Sequence, residues 1–224
     1  MANLIDEEQK PIIYRMIDGN LSTLLSRKAT FVKKLIIQLS DKGACKKEVR
    51  KVIKELRKIF SHFCHLEYLQ LCGCGGVIKD TLLQIIGENL QQLRHLAIPV
   101  NTRITDVGLG FLTGAGIEGV GCPLMEEIHI ERAAGITALG VTRVTSNFKN
   151  LQTLSLYLNV SDIDNQICQS LVSSESLKDI SLRSSGATAI TGLTVLKDAG
   201  FKQVFFCRIG GNTYDLKGCW IRND

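Results

Sequence analysis

No run of about 18 uncharged apolar residues occurs in the 224-residue sequence. That is roughly the length a helix needs to cross a bilayer, so no membrane partner is expected. The nearest approach, Val107 to Met125, holds one charge and is loaded with glycine. The opening "MANLIDEEQK" is acidic and lacks a basic start followed by an apolar core, so no secretory signal is expected. Without that route the N-x-S sequons at Asn20 and Asn159 should stay unmodified. The serines, histidines and carboxylates form no recognisable nucleophile–base arrangement, and no nucleophile-elbow sequence occurs. Neither catalysis nor a cofactor is expected.

What is present is an ordinary soluble balance, 45 % apolar and 22 % charged, enough to bury a core. Eight cysteines without a leader read as free thiols in a reducing compartment, with the cytoplasm expected and the nucleus the alternative. The net charge of +5 is uneven: residues 1–60 carry +7 and the remainder −2.

One spacing recurs along the chain. Leu66, Leu69, Leu71 and Cys74 stand at offsets 0, 3, 5 and 8. The same offsets hold Leu93, Leu96, Ile98 and Asn101; Met125, Ile128, Ile130 and Ala133; and Leu151, Leu154, Leu156 and Asn159. They also hold Leu177, Ile180, Leu182 and Ser185; Val32, Leu35, Ile37 and Ser40; and Phe201, Val204, Phe206 and Ile209. This resembles the leucine-rich-repeat pattern. It predicts an α/β fold: a leucine-rich-repeat solenoid of about seven repeats, a right-handed βα superhelix with a curved parallel sheet. Offsets 3 and 5 lie on a short strand and face inward. A small polar or thiol group at offset 8 reaches backbone that the turn leaves unpaired. The return segments should be helical. Val49, Val52, Ile53, Leu56, Ile59 and Phe60 form one 3.6-period stripe over Cys45 to Ser61. "ITDVGLGFL" (Ile104 to Leu112) and "ITALGVTRV" (Ile136 to Val144) read likewise. The expected layout is an N-terminal helical cap over 1–30, the repeats over 31–210, and a C-terminal cap or tail over 211–224 with Trp220, the one tryptophan, on the last repeat.

"CHLEYLQLCGCGGVIKDTLLQI" and "LRHLAIPVNTRITDVGLGFL" carry a further resemblance. A strand motif ending in Cys, followed by I-T-D-x-G-L, is similar to the cysteine-containing repeats of F-box/leucine-rich-repeat proteins. "ITDVGL" is complete at Ile104 to Leu109, and "IKDTLL" at Ile78 to Leu83 is a looser copy. The resemblance implies a substrate-recognition subunit of an SCF-type ubiquitin ligase, with the ligase adaptor as a second partner. No clear F-box is present: Pro11 to Ile37 lacks the leading L-P and the later tryptophan of that module. The alternative is a structural repeat protein of a cytoskeletal or axonemal assembly.

Four stretches invite other chemistry. In C-x-C, Cys74 takes offset 8 and Cys72 offset 6, so the thiols should diverge rather than chelate. Gly114, Gly116 and Gly119 make G-x-G-x-x-G, but a dinucleotide site needs a strand before and a helix after, and the expected order is reversed. His95, Glu127, His129 and Glu131 share one side of neighbouring strands. Strands lie about 4.8 Å apart and i, i+2 residues nearly 7 Å, so all four cannot ligate one ion, and no metal is expected. Lys46, Lys47, Arg50, Lys51, Lys54, Arg57 and Lys58 give the first return helix a basic face without aromatics. It is read as solvated, and nucleic acid is not an expected partner.

Function should lie at offsets 2, 4 and 6, which face outward on the concave wall. The candidate partner-binding residues for a protein target there are Tyr68, Gln70, His95, Glu127, His129, Glu131, Tyr157, Asp179, Arg183 and Phe205. Tyr68, Tyr157, Phe205 and Arg183 are the expected anchors, since aromatics and arginine dominate interface energetics. Glu127 and Glu131 form an acidic centre that favours a basic segment.

Overall fold

The structure is a computed structural model that describes residues 12–16, 32–39, 46–73, 78–99, 102–115, 120–131, 133–158, 163–184, 191–209 and 215–222. It is an α/β fold with a mostly parallel sheet. Its strands are β1 (Ile12–Met16), β2 (Lys34–Leu39), β3 (Tyr68–Gly73), β4 (His95–Ile98), β6 (Glu127–Ile130), β8 (Thr153–Leu158), β9 (Asp179–Ser184), β10 (Phe201–Ile209) and β11 (Asp215–Arg222). A separate short pair joins β5 (Thr102–Thr105) to β7 (Ala133–Gly135). The helices are α1 (Lys46–Phe60), α2 (Asp80–Asn89), α3 (Asp106–Thr113), α4 (Ala138–Asn147), α5 (Asn165–Val172) and α6 (Leu193–Asp198).

The nine-stranded sheet runs β1-β2-β3-β4-β6-β8-β9-β11-β10. From β1 to β9 every pair is parallel, and the offset-3 residues fall in one row: Ile12, Leu35, Leu69, Leu96, Ile128, Leu154 and Ile180. From Leu35 to Ile180 that row is buried, as are the offset-5 residues Ile37, Leu71, Ile98, Ile130, Leu156 and Leu182. Leu69, Ile128 and Leu154 sit in one continuous core, where alternation on a strand and period on a helix point the same way.

Each helix packs on the next, from α1 on α2 through to α5 on α6. The apolar stripe of α1 buries Leu56, Ile59 and Phe60 and leaves Arg50, Lys51, Lys54, Arg57 and Lys58 exposed. Arg57 pairs with Glu88 of α2 at 2.6 Å, and Lys58 lies 3.7 Å from Glu55.

The I-T-D segments work as interlocking caps. Thr105 caps α3 by accepting from Val107 N, and Thr137 caps α4 by accepting from Leu139 N. Each cap is held by the preceding helix. Asp80 accepts from Thr105 N and Oγ1, both at 2.7 Å; Asp106 accepts from Thr137 N at 2.8 Å and Oγ1 at 2.6 Å. Gly108 and Gly140 are glycine because a Cβ there would collide with the carboxylates of Asp80 and Asp106. Ala138 stands at the next aspartate position, and Asp164 caps α5 itself by accepting from Ile167 N at 3.0 Å.

Two expectations need correction. Over 1–30, where a helical cap is expected, the described residues form strand β1 in parallel with β2; the rest of that range lies outside the described residues. The Phe201 motif does not stack directly on Ile180, because β11 lies between β9 and β10 and runs antiparallel to both. Within the range 211–224, the described residues 215–222 thus supply a strand inside the sheet, which covers the otherwise open hydrogen-bonding edge of β9. Lys178 O, placed to receive a next parallel strand, accepts instead from Arg222 N at 2.8 Å.

The G-x-G-x-x-G stretch follows a helix and precedes a strand. Gly114, at φ +66, is the left-handed C-cap of α3, its N–H reaching back into the last turn. Residues 116–119 lie outside the described residues, as do the offset-8 positions Ser40, Cys74, Asn101, Asn159 and Ser185. Of that set Ala133 and Ile209 are described: Ala133 is buried, and Ile209 is the last residue of β10.

Candidate docking face

The helices cover one side of the sheet. Among the described residues no element covers the other, and its side chains alternate as partly exposed against the buried ribs. Parallel sheets are ordinarily covered on both faces. A parallel sheet with one open, polar face is therefore a feature that needs an explanation.

Register orders this face into rows. One reads Lys34, Tyr68, His95, Glu127, Thr153 and Asp179. The next reads Ile36, Gln70, Ala97, His129, Ser155 and Ser181. In the third, Cys72, Glu131, Tyr157 and Arg183 continue their own strands. Nine of the ten sequence candidates thus stand on β3, β4, β6, β8 and β9 or directly at their ends. The tenth, Phe205, stands on β10 in the Ser181 row, two strands beyond β9: it pairs with Cys219 of β11, which pairs with Ser181, and for Phe205 the description extends to the backbone.

The side chains are linked along and across strands. Tyr68 OH donates to Gln70 Oε1 at 2.9 Å, and Gln70 Nε2 donates to Cys72 Sγ at 3.2 Å. Burial, then the nearby Cys72 and Glu127, push the Tyr68 phenol above its usual range, so it remains a neutral donor. Its ring meets the His95 imidazole with centroids 6.1 Å apart, tilted by 38°. Glu127 then stands between two imidazoles: its Oε2 is 3.2 Å from His95 Nδ1 and 3.7 Å from His129 Nε2. Below them Arg94 grips Glu126, whose Oε2 is 3.9 Å from His95 Nε2. Among the described residues no three His, Cys, Asp or Glu side chains are grouped as a metal would require. Cys72 lies on the open face with Tyr68 and Gln70, while Cys122 and Cys168 are buried.

The sequence reading missed Lys34 and Ile36, although the Val32 motif places them at offsets 2 and 4. It also missed Arg94 and Glu126, at offset 1, whose ion pair depends on register between two motifs.

No protein-family model matches the sequence, and no curated protein matches it.

Proposed function

We propose that the chain is a leucine-rich-repeat solenoid that serves as a non-enzymatic protein-docking module, with a target polypeptide held against the open face of the sheet. The observation that carries this is a face that no described element covers, along a seven-stranded parallel run, lined by tyrosine, histidine, glutamate and arginine. Single repeats cannot bury their own inner face, so stacking produces the core and leaves the opposite wall for binding. Aromatic side chains at Tyr68 and Tyr157 supply large contact area at little entropic cost. The "ITDVGL" resemblance further supports a role as the substrate-recognition subunit of an SCF-type ubiquitin ligase.

The test fills the face. Ser155→Trp places bulk at the centre of the middle row, and Gln166→Trp places the same bulk on the exposed side of α5. Tagged protein recovered from native cells should lose its partner with the first change and keep it with the second. Recovery that ignores Ser155→Trp removes the docking reading. A cullin or ligase adaptor should co-purify with the wild-type chain; its consistent absence removes the ligase assignment and leaves the module.

A further inference from the structure

We infer that the segment docked on the open face is extended and cationic, its arginine or lysine side chains received by Glu127, Glu131 and Asp179. This rests on the docking reading above and adds the partner's chemistry. Three observations carry it. First, the carboxylates are concentrated on adjacent parts of the face: Glu127 and Glu131 belong to β6 and its end, and Asp179 lies in the Glu127 row, one strand beyond Thr153. Secondly, Glu131 and Asp179 have no ion-pair partner among the described residues. Among the described residues the ion-pair partners of Glu127 are imidazoles alone, at 3.2 Å and 3.7 Å. Cations take register positions at the flanks of the open face, Arg15 and Lys34 on β1 and β2, Arg183 and Lys217 on β9 and β11; Tyr157 separates Arg183 from Glu131. Thirdly, the pattern contrasts with the rim, where cation and anion are already matched: Lys33 with Glu67 at 3.2 Å, and Arg94 with Glu126.

Spacing fits an extended segment. Alternate residues of a strand-like chain repeat at nearly 7 Å, the same interval that separates Glu127 from His129 and His129 from Glu131 along β6. Cations four residues apart on such a segment reach Glu127 and Glu131 together. The tilted Tyr68 and His95 rings wall one side of this track, and Tyr157 the other. The whole chain carries +5, so a cationic peptide is repelled by the molecule at large, and its capture has to be local.

The experiment uses the full chain and two fluorescein-labelled synthetic 12-residue probes, one alternating arginine with serine and one alternating glutamate with serine. Fluorescence anisotropy at near-physiological salt should show binding of the arginine probe. Affinity should fall about tenfold or more in the triple variant Glu127→Gln, Glu131→Gln, Asp179→Asn, and stay unchanged in Asp198→Asn, a carboxylate on the exposed side of α6. Unaltered thermal melting of the triple variant establishes that it folds. Absence of arginine-probe binding up to millimolar concentration overturns the inference. So does preference for the glutamate probe, or binding indifferent to the triple change. If native-partner capture is then still blocked by Ser155→Trp, the cationic assignment falls alone. If that capture is also indifferent, the docking reading falls with it.

Discussion

Individual side chains divide here into those that build ribs and those that remain chemically available, and the cysteines make the division measurable. Cys122 and Cys168 are buried, and burial pushes both thiols up from 9.0 to about 12. They stay protonated and inert near neutral pH, as packing groups rather than nucleophiles. Cys64 is exposed and Cys72 half-buried on the open face. Alkylation of native protein with mass-spectrometric readout should therefore modify Cys64 readily and spare Cys122 and Cys168 until denaturant is added. The sign for stability follows from the same shift. Between pH 9 and about 12 the unfolded chain releases thiol protons that the folded chain retains. Stability conferred below pH 9 is thus lost as pH rises through that window, by at most about 1.4 kcal/mol per pH unit for each thiol. Melting temperature measured from pH 7 to 11 should fall at the alkaline end, and Cys122→Ala should show a shallower fall.

Among the elements, the links between neighbouring helices are polar as well as apolar. Asp106 serves two donors of Thr137, which itself caps α4. Asp106→Ala leaves a half-buried backbone N–H and a hydroxyl without their acceptor, at a cost of about 1–3 kcal/mol. Denaturant titration should show the midpoint moving down, while Asp198→Asn, on the exposed end of α6, should leave it in place. The elements also show what was legible in the sequence. Ribs such as Leu69, Leu96 and Ile128 could be read because alternation on a strand is local and the offsets repeat. β1 was hidden because Gln9 stands where its counterparts have Leu66, Leu93 or Met125, and Tyr14 stands at offset 5. β11 was hidden for another reason. "DLKGCWIR" carries no repeat spacing, and its place between β9 and β10 depends on pairing at long range. The docking candidates were legible as outward offsets, whereas the Tyr68–His95–Glu127–His129 chain was not, because it requires the register between three strands.

At the scale of the whole molecule, stability is shared between neighbours rather than centred. Strands contact the next strand and helices the next helix, so interior units have two supporting interfaces and the outermost fewer. Hydrogen exchange should be slowest in β4, β6 and β8, and faster in β1 and β10. Uniform protection across all nine strands would show that the ends are coupled to the centre more tightly than stacking provides. The β11–β10 end has its own fastening. The Arg222 guanidinium lies 4.5 Å over the Phe201 ring and donates to Glu175 O at 2.9 Å.

The β6–β8–β9 stretch has a practical corollary. Ile128, Leu154 and Ile180 recur every 26 residues, and the backbone bonds recur with them: Gln152 N to Glu126 O and Lys178 N to Gln152 O, each at 2.8 Å. A duplicated copy of residues 151–176 inserted there would offer acceptors on one flank and donors on the other that match what is already present. The reversed strand at the far side of β9 has no such symmetry, so an extra copy spliced after it would find mismatched amides. Lengthening by duplication is open upstream of β9 and closed beyond β11.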